Sequence, residues 1–187
     1  MKTKINLIII LVFSVIITNA QSFTVERIIN APAEKVWKVV GEQYGEIANS
    51  HPTVVASDYI SDDSQGGEGC ERVCYLNEEK TKYTHEKQLE FDSINFRFKV
   101  QISHVEGIPL NPDFSYGIYK VIPIDENSCK LVIEMNLKTS PAFMGILAKG
   151  KFKKNIEDYQ IAIQHNVLTG EHVTKDNFKE IKKKYQS

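Results

Sequence analysis

Arg72 and Glu86 carry the side-chain chemistry best suited to holding a ligand. A guanidinium presents a planar fork of donors that grips a carboxylate in two hydrogen bonds. The same fork pairs equally well with an acid on a neighbouring strand, and Glu86 is one such acid. Taken out of water, the Glu86 carboxylate suits proton transfer or a hydrogen bond to a ligand; on the surface, or paired with Arg72, it is structural. His85 cannot complete an acid–base couple with Glu86, because consecutive residues of a regular strand project to opposite faces. His51, His104, His165 and His172 are scattered without metal-ligand spacing, and Ser50, Ser57 and Ser115 stand in no nucleophile context. No metal and no cofactor is expected. Cys70 and Cys74 would lie about 13 Å apart along a strand, beyond the roughly 4.4–6.8 Å a disulfide spans. A bridge from Cys129 to one of them stays open, as does the alternative of three buried small hydrophobes.

The elements that must position these groups are short strands closed by one long helix. Phe23 to Ile29 alternates as a first strand, and Asn30-Ala31-Pro32-Ala33-Glu34 opens a helix with Pro32 in its first turn. Ala33, Val36, Trp37 and Val40 fall on one face of that helix, so the tryptophan is expected to pack inward; Gly41 ends it, and Tyr44 to Asn49 makes a further turn. Strands are expected over Val54–Ile60, Glu68–Leu76 and Lys82–Asp92. Ile94, Phe96, Phe98, Val100 and Ile102 then alternate with polar residues in the cleanest period-two pattern of the chain. Phe114–Ile124 and Cys129–Lys138 read as a hairpin. From Pro141 to about Leu168 the period becomes helical: Phe152, Ile156, Tyr159, Ile163 and Val167 form one apolar stripe, with Ser140 as the expected cap. One helix pair, about six antiparallel strands and a long closing helix make an α+β domain with its helices on one face.

Lys2 and Lys4 precede an apolar run, Leu7 to Ile17, that is about half the ~20 residues needed to span a bilayer. Small residues follow at Thr18-Asn19-Ala20, so residues 1–20 read as a secretory signal cleaved near Ala20-Gln21, and a secreted or periplasmic location is expected. That segment holds two lysines and no acid, leaving 21 basic and 24 acidic residues, a balance of −3. Such a mild charge gives no footprint for nucleic acid. Residues 171–187 form a basic tail in which Phe178, Ile181 and Tyr185 mark one face of a short helix. It is expected either to pack on the domain or to meet an anionic surface.

Three motifs in this order resemble the SRPBCC superfamily, also called START-like or Bet v 1-like, in its polyketide cyclase/dehydrase branch. They are Asn30-Ala31-Pro32-Ala33-Glu34-Lys35-Val36-Trp37, Gly67-Glu68-Gly69-Cys70-Glu71-Arg72 and His85-Glu86-Lys87-Gln88-Leu89-Glu90-Phe91-Asp92. The resemblance runs from about Phe23 to Leu168 and implies a helix-grip fold over residues 21–170: a curved antiparallel sheet wrapped around the long C-terminal helix, with a cavity between them. It also places Glu86 where relatives often carry a pocket-facing glutamate. Such a cavity is mostly apolar with a few orienting polar groups. Arg72, Glu86, Phe96, Phe98, Tyr116, Phe143, Met144 and Leu147 are its expected lining, the last three at the entrance. The plant hormone-receptor gate is missing, since Leu76-Asn77-Glu78-Glu79-Lys80 stands in its place. The function this implies is binding of a small hydrophobic, lipid-like or aromatic ligand; the alternative is a metal-free cyclase or dehydratase with Glu86 as general base. A membrane enters only through a lipid ligand or the basic tail.

Overall fold

The computed structural model describes residues 20–60, 62 and 64–185, so the expected export signal, Ala20 apart, lies outside the described residues. Seven strands follow one another as β1 (Gln21–Ile29), β2 (Ala56–Tyr59), β3 (Glu71–Tyr75), β4 (Tyr83–Asp92), β5 (Arg97–Glu106), β6 (Tyr116–Asp125) and β7 (Ser128–Leu137). They form a single sheet in the order β1-β7-β6-β5-β4-β3-β2, with every neighbouring pair antiparallel. Between β1 and β2 lie α1 (Ala33–Trp37), a π-helical turn at Lys38–Glu42 and a 3-10 segment at Tyr44–Asn49. The long helix α2 spans Phe143–Thr169, and α3 (Phe178–Lys184) closes the chain. The curved, unclosed sheet and the long helix are the helix-grip arrangement. Among the described residues no helix is long and apolar enough to cross a membrane.

Alternation decides what the sheet buries. Val25 and Ile29 of β1, Phe98 and Val100 of β5, Tyr119 and Val121 of β6, and Leu131 and Ile133 of β7 all face inward. All but Val25 meet Val36, Trp37, Val40 and Tyr44 from the short helices and Tyr159 and Ile163 from α2 in one core. The tight hairpin between β6 and β7 pairs Asp125 with Ser128, as the turn residues suggest. Cys70, Cys74 and Cys129 are buried and not joined by disulfides, which corresponds to the small-hydrophobe alternative. Burial pushes the Cys129 thiol up to about 11.

Three sequence expectations are corrected. The β5 pattern begins at Arg97, not Ile94: Asp92 accepts hydrogen bonds from the backbone of Ile94 (3.0 Å) and Asn95 (2.9 Å), so a side-chain-held turn displaces the strand. Ile94 is consequently 88 % exposed. Ser140 does not cap α2, whose first residue is Phe143; the Thr139 hydroxyl instead donates to the carbonyls of Pro141 (2.9 Å) and Ala142 (3.1 Å). Finally, the first helix does not run unbroken to Gly41, because it widens into the π-helical turn after Trp37.

α2 is wrapped on two sides in its second half. Ile156, Tyr159, Ile163 and Val167 pack on the main core. Ile161 and Ala162 pack with Val173 and Ile181, flanked by Phe178 and Tyr185, so the tail lies on the helix. The contiguous burial of residues 159–165 explains why the helix is amphipathic only in part of its length. Lys182 of the tail is ion-paired with Asp158, and Gly170 ends the helix in the left-handed region at φ 73°. Ile181 is only 2 % exposed. Ile181→Ala should therefore cost about 2–5 kcal/mol in urea unfolding, the range for a large-to-small change in a core that relaxes poorly; a loss near zero would show that the tail is not docked.

Candidate functional site

A polar cluster sits inside the sheet at its β2–β4 end. Register sets it up: Arg72 of β3 pairs with Glu86 of β4, and Cys74 with Thr84, so all four side chains share the concave face. Arg72 Nε and Nη2 donate to Glu86 Oε2 at 2.9 and 2.6 Å. Nη1 donates to the Tyr44 carbonyl at 2.7 Å, and the guanidinium lies 3.9 Å from the centre of the Tyr44 ring. The Thr84 hydroxyl donates to Glu86 Oε1 at 2.9 Å. Arg72 retains 4 % side-chain exposure and Glu86 15 %, so the pair is interior but the carboxylate is still reached from outside.

The surroundings are aromatic. The Phe98 ring stacks on Tyr119 at 4.8 Å and meets Tyr44 edge-on at 6.2 Å. The His51 ring lies 4.4 Å from Tyr159, and His51 Nδ1 accepts the backbone N–H of Thr53 at 3.1 Å. Burial holds the hydroxyls of Tyr44, Tyr119 and Tyr159 above the ordinary tyrosine range. Burial, and then the charge of Arg72, lower His51 to about 3. Burial alone would weaken the Arg72 cation, but Glu86, followed by Tyr44, Cys74 and Tyr159, holds the guanidinium well above its ordinary value. The Tyr44 hydroxyl is buried without a hydrogen-bond partner among the described residues. Trp37 Nε1, Tyr59 Oη and Gln160 Oε1 are likewise buried without a partner among the described residues, and each such atom costs free energy.

The structure brings together three of the expected residues: Arg72, Glu86 and Phe98. Phe96 lies elsewhere, against Trp37 at 5.5 Å. Tyr116 faces the convex side of the sheet with Lys99 Nζ 4.7 Å from its ring centre, because its neighbour Gly117 takes the inward phase. Phe143 and Leu147 stand on the first turns of α2 at 62 % and 81 % exposure, and Met144 is half-buried. Tyr44, His51, Tyr119 and Tyr159 complete the cluster. Of these, Tyr159 belongs to the helical stripe and Tyr119 falls inside the expected strand Phe114–Ile124, whereas no local pattern distinguishes Tyr44 or His51. Two surface grooves, of about 390 and 350 Å³, flank α2 away from the cluster; Arg27, Asp158 and Gln160 line the first, Asn49, Asn166 and His172 the second. Among the described residues no group of three or more His, Cys, Asp or Glu side chains is placed to hold a metal ion.

The sequence model of the family described as "Polyketide cyclase / dehydrase and lipid transport" matches residues 20–160. No curated protein matches the chain. Similar solved structures include a Thermobifida fusca protein determined in solution, with a TM-score of 0.65 and 21 % identity over 82 % of this chain and 97 % of that one. A START superfamily protein from Mycobacterium smegmatis has a TM-score of 0.60 and 9 % identity, covering 78 % and 96 %. Norcoclaurine synthase from Thalictrum flavum, in complex with dopamine and hydroxybenzaldehyde, has a TM-score of 0.58 and 18 % identity, covering 82 % and 89 %. At such identities the likeness is one of fold.

Two outcomes follow from the geometry. Glu86→Leu alone leaves Arg72 as an uncompensated interior charge and should destabilise the protein by about 3–5 kcal/mol, whereas Arg72→Met with Glu86→Leu should recover most of that loss; comparison of urea midpoints checks it. The lowered His51 means that, between pH 6.5 and about 3, the unfolded chain binds a proton that the folded chain does not. Stability should therefore fall as pH is lowered through that window, and His51→Gln should flatten the slope in unfolding measured pH by pH.

Proposed function

The chain belongs to the polyketide cyclase / dehydrase and lipid transport family, and from that premise we propose that it binds a small, largely apolar molecule, lipid-like or aromatic, between the sheet and α2. The Arg72–Glu86 pair orients the polar end of that molecule, and the aromatic walls around Phe98, Tyr119 and Tyr159 bury the rest. The observation that carries the reading is the buried Tyr44 hydroxyl, left without a partner among the described residues beside an interior ion pair. A buried ion pair adds little net stability compared with apolar packing. A buried hydroxyl that lacks a partner costs stability, and an orienting use accounts for both.

The same geometry weighs against Glu86 as the general base of a cyclase or dehydratase. Both of its oxygens already accept hydrogen bonds, one from Thr84 and the other twice from Arg72. The lysines and apolar run of residues 1–20 support action after export.

Native mass spectrometry of the protein recovered from its host's exported fraction tests both parts. A co-purifying mass lost on denaturation, on a chain beginning near Gln21, is the expected result. Titration with the fluorescent fatty acid cis-parinaric acid, followed by ¹⁵N NMR, then locates the site: shifts at Thr84, Glu86, Tyr119 and Tyr159 are expected. Shifts confined to the exposed first turns of α2 or to the surface grooves would overturn the assignment.

A further inference from the structure

The convex face of the sheet, opposite the interior cluster, carries a histidine pair. His85 of β4 and His104 of β5 are direct cross-strand partners, with ring centroids 5.4 Å apart. Their pairing depends on an irregularity. Glu86 pairs with Ile102 but His85 pairs with His104, so Ser103 is the extra residue of a β-bulge. Continued in the register of Glu86 and Ile102, His85 would face Ser103, and His104 would take the inward phase beside Thr84. The bulge turns His104 outward and sets it against His85, the kind of re-aiming that bulges perform.

The ring spacing of the pair matches that of two imidazoles sharing one ion. With metal–nitrogen distances of about 2.0–2.1 Å and a tetrahedral angle, two imidazoles on one ion bring their ring centroids to roughly 5 Å apart. Tyr83 forms a side wall, with its ring centroid 5.3 Å from that of His85 and 5.8 Å from that of His104. β6 pairs with β5 only from Arg97 to Gln101, so no strand covers His104, which is exposed. Glu71 of β3 lies on the same convex face, ion-paired with Lys87 of β4 at 2.9 Å.

We propose that His85 and His104 form a two-imidazole site for a divalent transition-metal ion of the imidazole-preferring class, Zn(II), Ni(II) or Cu(II), with water completing its coordination. The site is independent of the interior ligand site, since the two lie on opposite faces of β4. Cu(II) binds most tightly of the three, following the usual order for nitrogen donors.

Titration of the untagged protein with ZnCl₂, followed by calorimetry and by the histidine ring resonances, tests the proposal. One saturable equivalent is expected, moving the His85 and His104 signals together. His85→Gln and His104→Gln should each weaken binding at least about tenfold, as loss of a ligand must when even supporting partners cost 10–100-fold. His172→Gln, exposed elsewhere, should bind as the parent does. Zinc should also raise the unfolding midpoint of the parent and not that of the two pair variants. Unchanged affinity in either pair variant, or zinc-induced shifts at His51 or His172 in place of the pair, would overturn it.

Discussion

The burial of one guanidinium constrains much of this molecule. Arg72 is nearly sealed from water, and a cation in that position survives only if every strong donor finds an acceptor. Glu86 supplies one from the adjacent strand, and the Tyr44 carbonyl supplies another from the 3-10 segment. Satisfying Arg72 therefore ties the β3–β4 register to the docking of the short helices. It also fixes the Tyr44 ring under the guanidinium. A slip of one residue in that register would turn Glu86 to the convex face and leave Arg72 unpaired.

Around that point the interior divides by chemistry. The β2–β4 side presents Arg72, Cys74, Thr84, Glu86 and Gln88, while β5, β6, β7 and β1 present almost only apolar and aromatic groups. α2 crosses between them, giving Tyr159 and Ile163 to the core and Ile161 and Ala162 to the tail. The tail in turn is pinned by Lys182 on Asp158 and by His165, which bonds Tyr185 and Glu171 at 3.0 and 2.8 Å. A helix covered on both sides is held in place more firmly than one lying on a single surface. The inner wall of the proposed ligand site is therefore a fixed one, while the exposed apolar turn at Phe143–Leu147 is not covered in the same way.

Much of this was legible from local pattern. Period-two alternation identified β5 through Phe98, Val100 and Ile102, and the four- and three-residue spacing identified Ile156, Tyr159 and Ile163 as a buried stripe. Arg72 and Glu86 were recognisable as complementary groups, with cross-strand pairing as one of the two readings. Other features were hidden, for specific reasons. Phe96 follows the alternation but falls in a turn, because the Asp92 side chain competes for backbone donors. Tyr116 is as aromatic as Tyr119 but has the opposite phase, and phase is set by pairing. His51 enters the cluster only because the segment after the 3-10 turn folds back beside Tyr159.

By itself the sequence determined the class of fold, the order of its elements, the family motifs at Asn30–Trp37 and Gly67–Arg72, and the residues able to form an interior ion pair. The fold class and element order follow from periodicity and turn chemistry, which act between residues near one another in the chain, and the motifs from resemblance. Only the tertiary structure decided which groups meet: that Arg72 and Glu86 join with Tyr44, that Phe143 and Leu147 stand in solvent, and that a single bulged residue sets His104 against His85. Those outcomes depend on strand register and on packing between distant segments. A shift of one residue in register reverses every side chain of a strand while leaving its local pattern unchanged.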